Sequence, residues 1–258
     1  MSATPAKDFG PIADDYAFFE AHATEAEEDA RVYVRRLAGV VPADGPVRLL
    51  DFGCGSGTFT ARLLGVAGWP PARLRLTLVE PVDAARQQAV ARLAGTTAHP
   101  VTAAAALPDG TAGGFDAVLA NHSLYYVPEL PVRVAALAGA VAPGGAFVTA
   151  VAPRANVLVG FWIAAFRTLG MEVPYHTSED VAAALRAAGA GYETESVAYE
   201  WAFPDTAENR WRILRFLLAD YLDRLAPGPL LALFDPYADT GRIRIHTASD
   251  HYTVRRPR

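Results

Sequence analysis

Three glycines at alternate positions behind an acid, Asp51-x-Gly53-x-Gly55-x-Gly57, and a second acid closing an apolar run, Glu80, have the types and spacing to do chemistry. Glycine permits a tight turn at positive φ and lets main-chain N–H groups approach a ligand with no Cβ in the way. Val47 to Phe52 reads as a strand and the segment from Thr58 as a helix, so the bare backbone falls at a strand-to-helix turn. The spacing departs from the dinucleotide fingerprint G-x-G-x-x-G, whose third glycine would fall at Thr58. Leu74 to Glu80 reads as a second buried strand, and a carboxylate at that strand's end is where α/β nucleotide folds hold ribose hydroxyls. The pair points to a nucleotide-like ligand; for the loop alone, a turn that merely needs glycine is the plainer alternative.

Other side chains that could act lie elsewhere. Glu25 opens a helical segment, where a carboxylate also serves the helix dipole, worth a few tenths to about 1 kcal/mol. Asn121-His-Ser-Leu-Tyr-Tyr126 follows the fourth predicted strand, so His122 either meets a ligand or hydrogen-bonds at a strand end. Tyr125 and Tyr126 could wall a site for a cationic or aromatic amine, or pack a turn. Cys54, the single cysteine, lies inside the glycine loop, so no internal disulfide can form and the chain reads as intracellular. Packing is the plainer role for that thiol, and no Cys/His cluster has metal-ligand spacing.

The elements that must position these residues follow from the pattern. The chain has 258 residues, 52% of them hydrophobic, enough for one α/β domain with an added lobe. Strands are predicted near 47–52, 74–79, 98–102, 115–120 and 145–151, with helices near 58–67, 83–94, 129–141 and 156–168, a doubly wound parallel sheet. Residues 1–15 read as mobile, and Thr24 with Glu27 reads as a capping box for a helix to Leu37. Thr177 to Asp180 is a second cap, for a helix to about Ala188. A strand at 192–202, helical stretches at 207–225 and 229–237, and a closing strand at 242–254 complete the chain. The expected division is an N-terminal helical cap (1–45), a core (46–203), a lobe over the sheet's carboxyl edge (204–241) and the final core strand (242–258).

Composition narrows the function. The net charge of −5 favours neither nucleic acid nor an anionic membrane as partner, and no run reaches the roughly 18 apolar residues of a membrane span. With no signal-peptide pattern at the start, a cytoplasmic location is expected. Lys7 is the only lysine, against 22 arginines. Schiff-base chemistry, pyridoxal phosphate anchoring, a P-loop and a Tyr-x-x-x-Lys dehydrogenase would all need a lysine that the body of the chain lacks.

The acid, the glycine run and Glu80 resemble a class I S-adenosylmethionine-dependent methyltransferase, and Phe115-Asp116 and Pro143-Gly-Gly145 match that family's later motifs. The resemblance implies a Rossmann-like, seven-stranded sheet with its last-added strand antiparallel. The cofactor, with S-adenosylhomocysteine as product, would be held by Asp51, Gly53, Cys54, Gly55, Ser56, Gly57, Glu80, Pro81, Asn121 and His122. Family members commonly place a polar side chain near Ala103 for the adenine amino group; alanine there leaves backbone and apolar packing to do that work.

Read end to end, Tyr16-x-x-Phe19-x-x-His22-x-Thr24-Glu25, Leu124-Tyr-Tyr-Val127, Phe161-Trp162 and Tyr175-x-Thr-Ser-x-Asp180 resemble the histamine N-methyltransferase-like family. That resemblance implies methylation of a nitrogen on a small, heteroaromatic amine. Glu25 would meet the amine, His122 accept its proton, and Tyr16, Phe19, Tyr125, Tyr126 and Trp162 form the walls. The family's glutamine before Leu-Tyr-Tyr falls on His122 and its last-strand asparagine at about Thr247, so histamine itself is not implied. Many members are monomers, and a monomer is expected.

Three other readings stand beside it: O-methylation of a phenolic molecule with His122 as base, a non-catalytic protein that binds the cofactor, and a dinucleotide oxidoreductase. The glycine spacing and the missing lysine argue against the last.

Overall fold

A computed structural model describes Lys7 and residues 10–42 and 44–258, with Asp220 described by its backbone alone. In chain order the elements are α1 (Ala13–Ala21), α2 (Glu25–Leu37), β1 (Val47–Phe52), α3 (Thr58–Ala67), β2 (Leu74–Val79), α4 (Asp83–Leu93), β3 (Thr102–Ala104), β4 (Phe115–Asn121), α5 (Leu130–Ala140), β5 (Val141–Val151), α6 (Val157–Thr168), α7 (Ser178–Ala187), β6 (Tyr192–Pro204), α8 (Ala207–Leu218), α9 (Pro227–Ala232), β7 (Ala238–Asp239) and β8 (Arg242–Arg255). The sheet runs β3-β2-β1-β4-β5-β8-β6, with the two-residue β7 pairing on β8. β1 to β5 pair in parallel, and β8 enters antiparallel between β5 and β6. This is the Rossmann-like sheet with an antiparallel last strand that the motifs imply.

Near-continuous apolar runs such as Leu49-Leu50 and Ala117 to Ala120 are buried on both faces, as strands covered by helices must be. One core lies between the sheet and α5 to α8, and the other between the sheet and α2 to α4. The order reverses at β1 and β4, so their carboxyl ends open a crevice between diverging connections.

Two contacts aim the N-terminal helices over that crevice. Thr24 donates its backbone N–H to Glu200 O (2.9 Å), its hydroxyl accepts from Glu200 N (3.0 Å), and Ala23 bridges Trp201 on β6. The capping box expected at Thr24 is therefore absent: the hydroxyl serves the sheet, and α2 starts from backbone bonds to Thr24 O. α1 packs on α8 through Phe19 against Phe216 (centroids 4.6 Å apart) and Asp15 against Arg215 (2.8 Å). Residues 1–6, 8 and 9 lie outside the described residues, but from Ala13 the chain expected to be mobile is helix.

Three boundaries differ from the sequence pattern. β3 begins at Thr102 rather than 98, because Pro100 lacks an N–H and Thr97 instead caps Leu74 O through its hydroxyl (2.8 Å). Pro143-Gly-Gly145 is not a turn before β5 but a bulge within it, where the register to β4 shifts between Phe115 and Ala117. The stretch 207–225 splits at Leu218 into α8 and a 3-10 segment. At Thr177 the expected capping box is present, with Thr177 N donating to Asp180 Oδ2 (2.8 Å).

Candidate active site

The glycine turn stands at the carboxyl end of β1. Gly53 adopts φ 72°, and a Cβ there would lie 2.3 Å from Ser123 Cβ, so the turn and the segment after β4 touch only because residue 53 has no side chain. Ser123 locks the contact by donating to Phe52 O (2.8 Å). Gly57, at φ 77°, lets α3 start against α4, where a Cβ would come within 3.1 Å of Ala89. Between them Gly55 donates its N–H to Glu80 Oε2 (3.0 Å), and Val82 N–H is held by Glu80 Oε1 (2.9 Å). Glu80 thus ties the β1 turn to the β2 turn. Asp51 lies beneath the loop, buried, with its carboxylate hydrogen-bonded by the Thr60 hydroxyl. Burial pushes its carboxyl up to about 6, against the Thr60 bond and with the Glu80 charge. Burial also pushes the Cys54 thiol well up, the state of an inert, packed cysteine.

A cavity of about 160 Å³ begins at Gly53, Cys54, Gly55 and Ser56 and runs beneath the N-terminal helices. Its walls include Tyr16, Phe19, Tyr125, Tyr126, Trp162 and Phe216, and its polar lining includes Glu20, Glu25, Asp29, Asn121, His122, Asn156 and Tyr199. No arginine or lysine is among the described lining residues; Lys7, itself buried, donates to Phe216 O and lies 4.6 Å from the Phe216 ring centroid and 5.3 Å from that of Tyr126, two of the wall rings.

The polar end is a network built from α2, the segment after β4, and β8. Glu25 and Asp29 are one helical turn apart, so both carboxylates face the same way. Asp29 Oδ2 accepts from His122 Nε2 (3.0 Å) and Asn121 Nδ2 (3.3 Å), and its Oδ1 accepts from His251 Nε2 (2.8 Å). Glu25 Oε1 accepts from Ser249 Oγ (3.1 Å) and lies 3.4 Å from His122 Nε2. His122 Nδ1 is 3.0 Å from the Tyr125 hydroxyl, which accepts the Ala152 N–H (2.7 Å). His122 holds φ 49°, a conformation uncommon outside glycine that costs on the order of 1 kcal/mol and turns the ring back toward α2.

These charges tune one another. Burial alone would lower the His122 imidazolium, but the Glu25 and Asp29 carboxylates raise it to about 9. Burial alone would raise the Asp29 carboxyl, but His122 and His251 hold it at about 2. Glu25 is raised, by burial first and by the Asp29 charge, against the attraction of His122.

Of the residues expected from sequence, the cavity brings together Gly53, Cys54, Gly55, Ser56, Asn121, His122, Glu25, Tyr16, Phe19, Tyr125, Tyr126 and Trp162. Asp51, Gly57 and Glu80 support the loop from outside the cavity. Pro81 is exposed after β2, and Ala103 is exposed on β3, in register with Leu78. Thr247 does not line the cavity; its hydroxyl accepts from Val157 N (3.1 Å) at the start of α6. Asp29, His251, Glu20, Asn156 and Tyr199 were not foreseen. The four-residue spacing from Glu25 was the available signal for Asp29, whereas His251 approaches from 222 residues away.

The site fits S-adenosylmethionine on two observations. A Cβ at Gly55 would meet nothing within 4 Å, so the loop presents bare backbone to open space. Asn121 Oδ1 is buried with no hydrogen-bond partner among the described residues, an acceptor suited to a donor such as the cofactor's amino group. Among the described residues no group of three or more His, Cys, Asp or Glu could hold a metal ion, and no helix is long and apolar enough to cross a membrane.

The family model described as a methyltransferase domain matches residues 21–195. Trans-aconitate 2-methyltransferase of Rhodopseudomonas palustris is 35% identical over 134 residues, covering 52% of this chain and 46% of that one. An uncharacterized methyltransferase of Mycobacterium tuberculosis is 33% identical over 132 residues, covering 50% and 62%. The chain thus spans about half the length of the curated relatives it matches. Among solved structures, the YcgJ protein of Bacillus subtilis superposes with TM-score 0.57 at 14% identity (88% of this chain, 99% of that one). Geranyl diphosphate methyltransferase in complex with SAM superposes with TM-score 0.56 at 18% identity (96% and 91%). At such identities the likeness is one of fold.

Proposed function

Because this chain belongs to the class I S-adenosylmethionine-dependent methyltransferases, we propose that it methylates a nitrogen of a small amine, in the manner of the histamine N-methyltransferase-like family. The observation that carries this reading is a cavity joining the glycine loop to Glu25, Asp29 and His122 through aromatic walls, with no arginine or lysine among its described lining residues. A polycarboxylate such as trans-aconitate would meet two or three carboxylates there; an ammonium finds complementary charge and ring faces.

S-adenosylmethionine supplies an electrophilic methyl group on sulfonium, and the Gly53 to Ser56 backbone, Glu80 and Asn121 would hold it. Glu25 meets the ammonium of the incoming amine and orients its nitrogen. The amine must shed a proton before its lone pair is free. Since Nε2 of neutral His122 donates to Asp29, the vacant proton position is Nδ1, reached through the Tyr125 hydroxyl. Raised to about 9, His122 is matched to an alkylammonium, so the transfer is near balance. Tyr16, Phe19, Tyr126 and Trp162 exclude water from the displacement, where position and dryness lower the barrier. The N-terminal segment 1–45 and the lobe 204–241 serve as the substrate side of a core comprising 46–203 and 242–258.

Calorimetric titration with S-adenosylmethionine and S-adenosylhomocysteine, followed by an amine panel, tests the reading. Micromolar binding of both and turnover of an amine are expected; failure of either adenosyl ligand to bind refutes it. The second reading, O-methylation of a phenol, is favoured by the same His122–Tyr125 proton path, and a methyl located on oxygen would select it.

A further inference from the structure

His251 takes no part in the path above, yet its side chain is fully buried against it. It donates from Nε2 to Asp29 Oδ1 (2.8 Å), while His122 donates from Nε2 to Asp29 Oδ2 (3.0 Å). One carboxylate thus joins two imidazoles, one at the cavity and one behind it. The ring of His251 stands edge-on to Tyr33 (5.5 Å), and its Nδ1 has no hydrogen-bond partner among the described residues. A buried histidine with one nitrogen left without a partner would be an expensive way to fill space. We propose that His251 is a positioning residue of the methyl-transfer site: by fixing the Asp29 carboxylate it sets which nitrogen of His122 carries the proton and how readily His122 accepts another.

An ionised carboxylate only accepts hydrogen bonds, so each imidazole must present N–H at Nε2. That leaves Nδ1 of neutral His122 facing the Tyr125 hydroxyl as the acceptor. The groups facing His122 are Glu25 and Asp29 on α2, Tyr125 after β4 and Asn121 on β4. Those facing His251 are Asp29 and Tyr33 on α2 and Glu195, its register partner on β6, which is itself paired with Arg35 and Arg36. Removing the His251 donor leaves more of the Asp29 charge on the oxygen facing His122. The sign is the same whatever the charge of His251: His122 holds its proton to higher pH.

The inference rests on the amine reading only for its catalytic consequence. Its test is a titration of the imidazole nitrogens by ¹H–¹⁵N NMR in the full chain, without cofactor or acceptor, with His122 assigned through the His122→Gln variant. In the wild type, Nε2-protonated His122 is expected. In His251→Phe its midpoint should rise by about one pH unit. His251→Gln, whose amide reaches as far as Nε2, should restore it. With an amine acceptor, kcat/KM at pH 7 should fall about tenfold in His251→Phe and its acid limb should move up by the same unit, while S-adenosylmethionine affinity stays put. His251→Asn, whose amide stops short of Asp29, repeats the test should the phenylalanine variant fail to fold. A wild-type His122 protonated at Nδ1 instead, or an unmoved midpoint in both donor-less variants, overturns the proposal. A moved midpoint with no amine methylated leaves the coupling standing and removes the amine reading instead.

Discussion

Glu25→Gln removes one negative charge and one acceptor from the cavity while keeping the shape of the side chain. Glu25 Oε1 lies 3.4 Å from His122 Nε2 and 3.1 Å from Ser249 Oγ, and the side chain is 12% exposed, so water screens it little. A charge-assisted hydrogen bond to a substrate ammonium is worth roughly 1.5–3 kcal/mol, about 10- to 150-fold in the amine's KM. The same substitution takes away one of the two carboxylates that raise His122, so the acid limb of kcat/KM should move down by about one to three pH units. The side chain touches the substrate end of the cavity and not Glu80 or the glycine turn, so affinity for S-adenosylmethionine should change by less than about threefold. Initial rates against amine concentration at saturating cofactor, from pH 6 to 10, give both readouts, and calorimetry gives the third. An unchanged amine KM with an unchanged acid limb would refute the role given to Glu25, as would a loss confined to cofactor binding.

Stability should depend on pH through the same cluster. His122, raised to about 9, contributes stability that is full below its unfolded value near 6.5 and lost as pH rises through 9. Asp29, held at about 2, contributes stability present above its unfolded value and lost as pH falls through 2. Thermal midpoints should therefore fall on both sides of neutrality, and His122→Gln should flatten the alkaline side. Gly53→Ala should cost roughly 2 kcal/mol or more and abolish cofactor binding, since its Cβ would meet Ser123 at 2.3 Å from a positive φ; denaturant melts and calorimetry check it. Glu80→Ala strands the Gly55 and Val82 N–H groups and should weaken S-adenosylmethionine about 10- to 100-fold, read by calorimetric titration.

The parts of the fold that could be read from sequence are those encoded locally. Glycine at 53 and 57 was required by positive φ and close approach, and apolar runs ending in Asp51 and Glu80 placed the carboxyl edge. Boundaries failed where tertiary bonds replaced local ones: the Thr24 hydroxyl pairs with β6 instead of capping α2, and the glycines before β5 make a bulge instead of a turn. The polar end of the cavity was half legible. Glu25, His122 and the tyrosines sit in recognisable motifs, and Asp29 repeats Glu25 one helical turn later. His251 lies in the half of β8 where alternation stops and His251 to Val254 are all buried, so no sequence period singles it out; its partner on α2 is set by the order in which β8 enters the sheet.

The most direct measurement incubates the protein with S-adenosylmethionine carrying a deuterated methyl group and a mixed panel of small amines, phenols and polycarboxylates including trans-aconitate, and locates the label by tandem mass spectrometry. Label on an amine nitrogen, lost or strongly reduced in Glu25→Gln, is the result expected from a cavity of carboxylates, imidazole and aromatic rings. Label on a carboxylate oxygen of trans-aconitate, at a rate indifferent to Glu25, would contradict it.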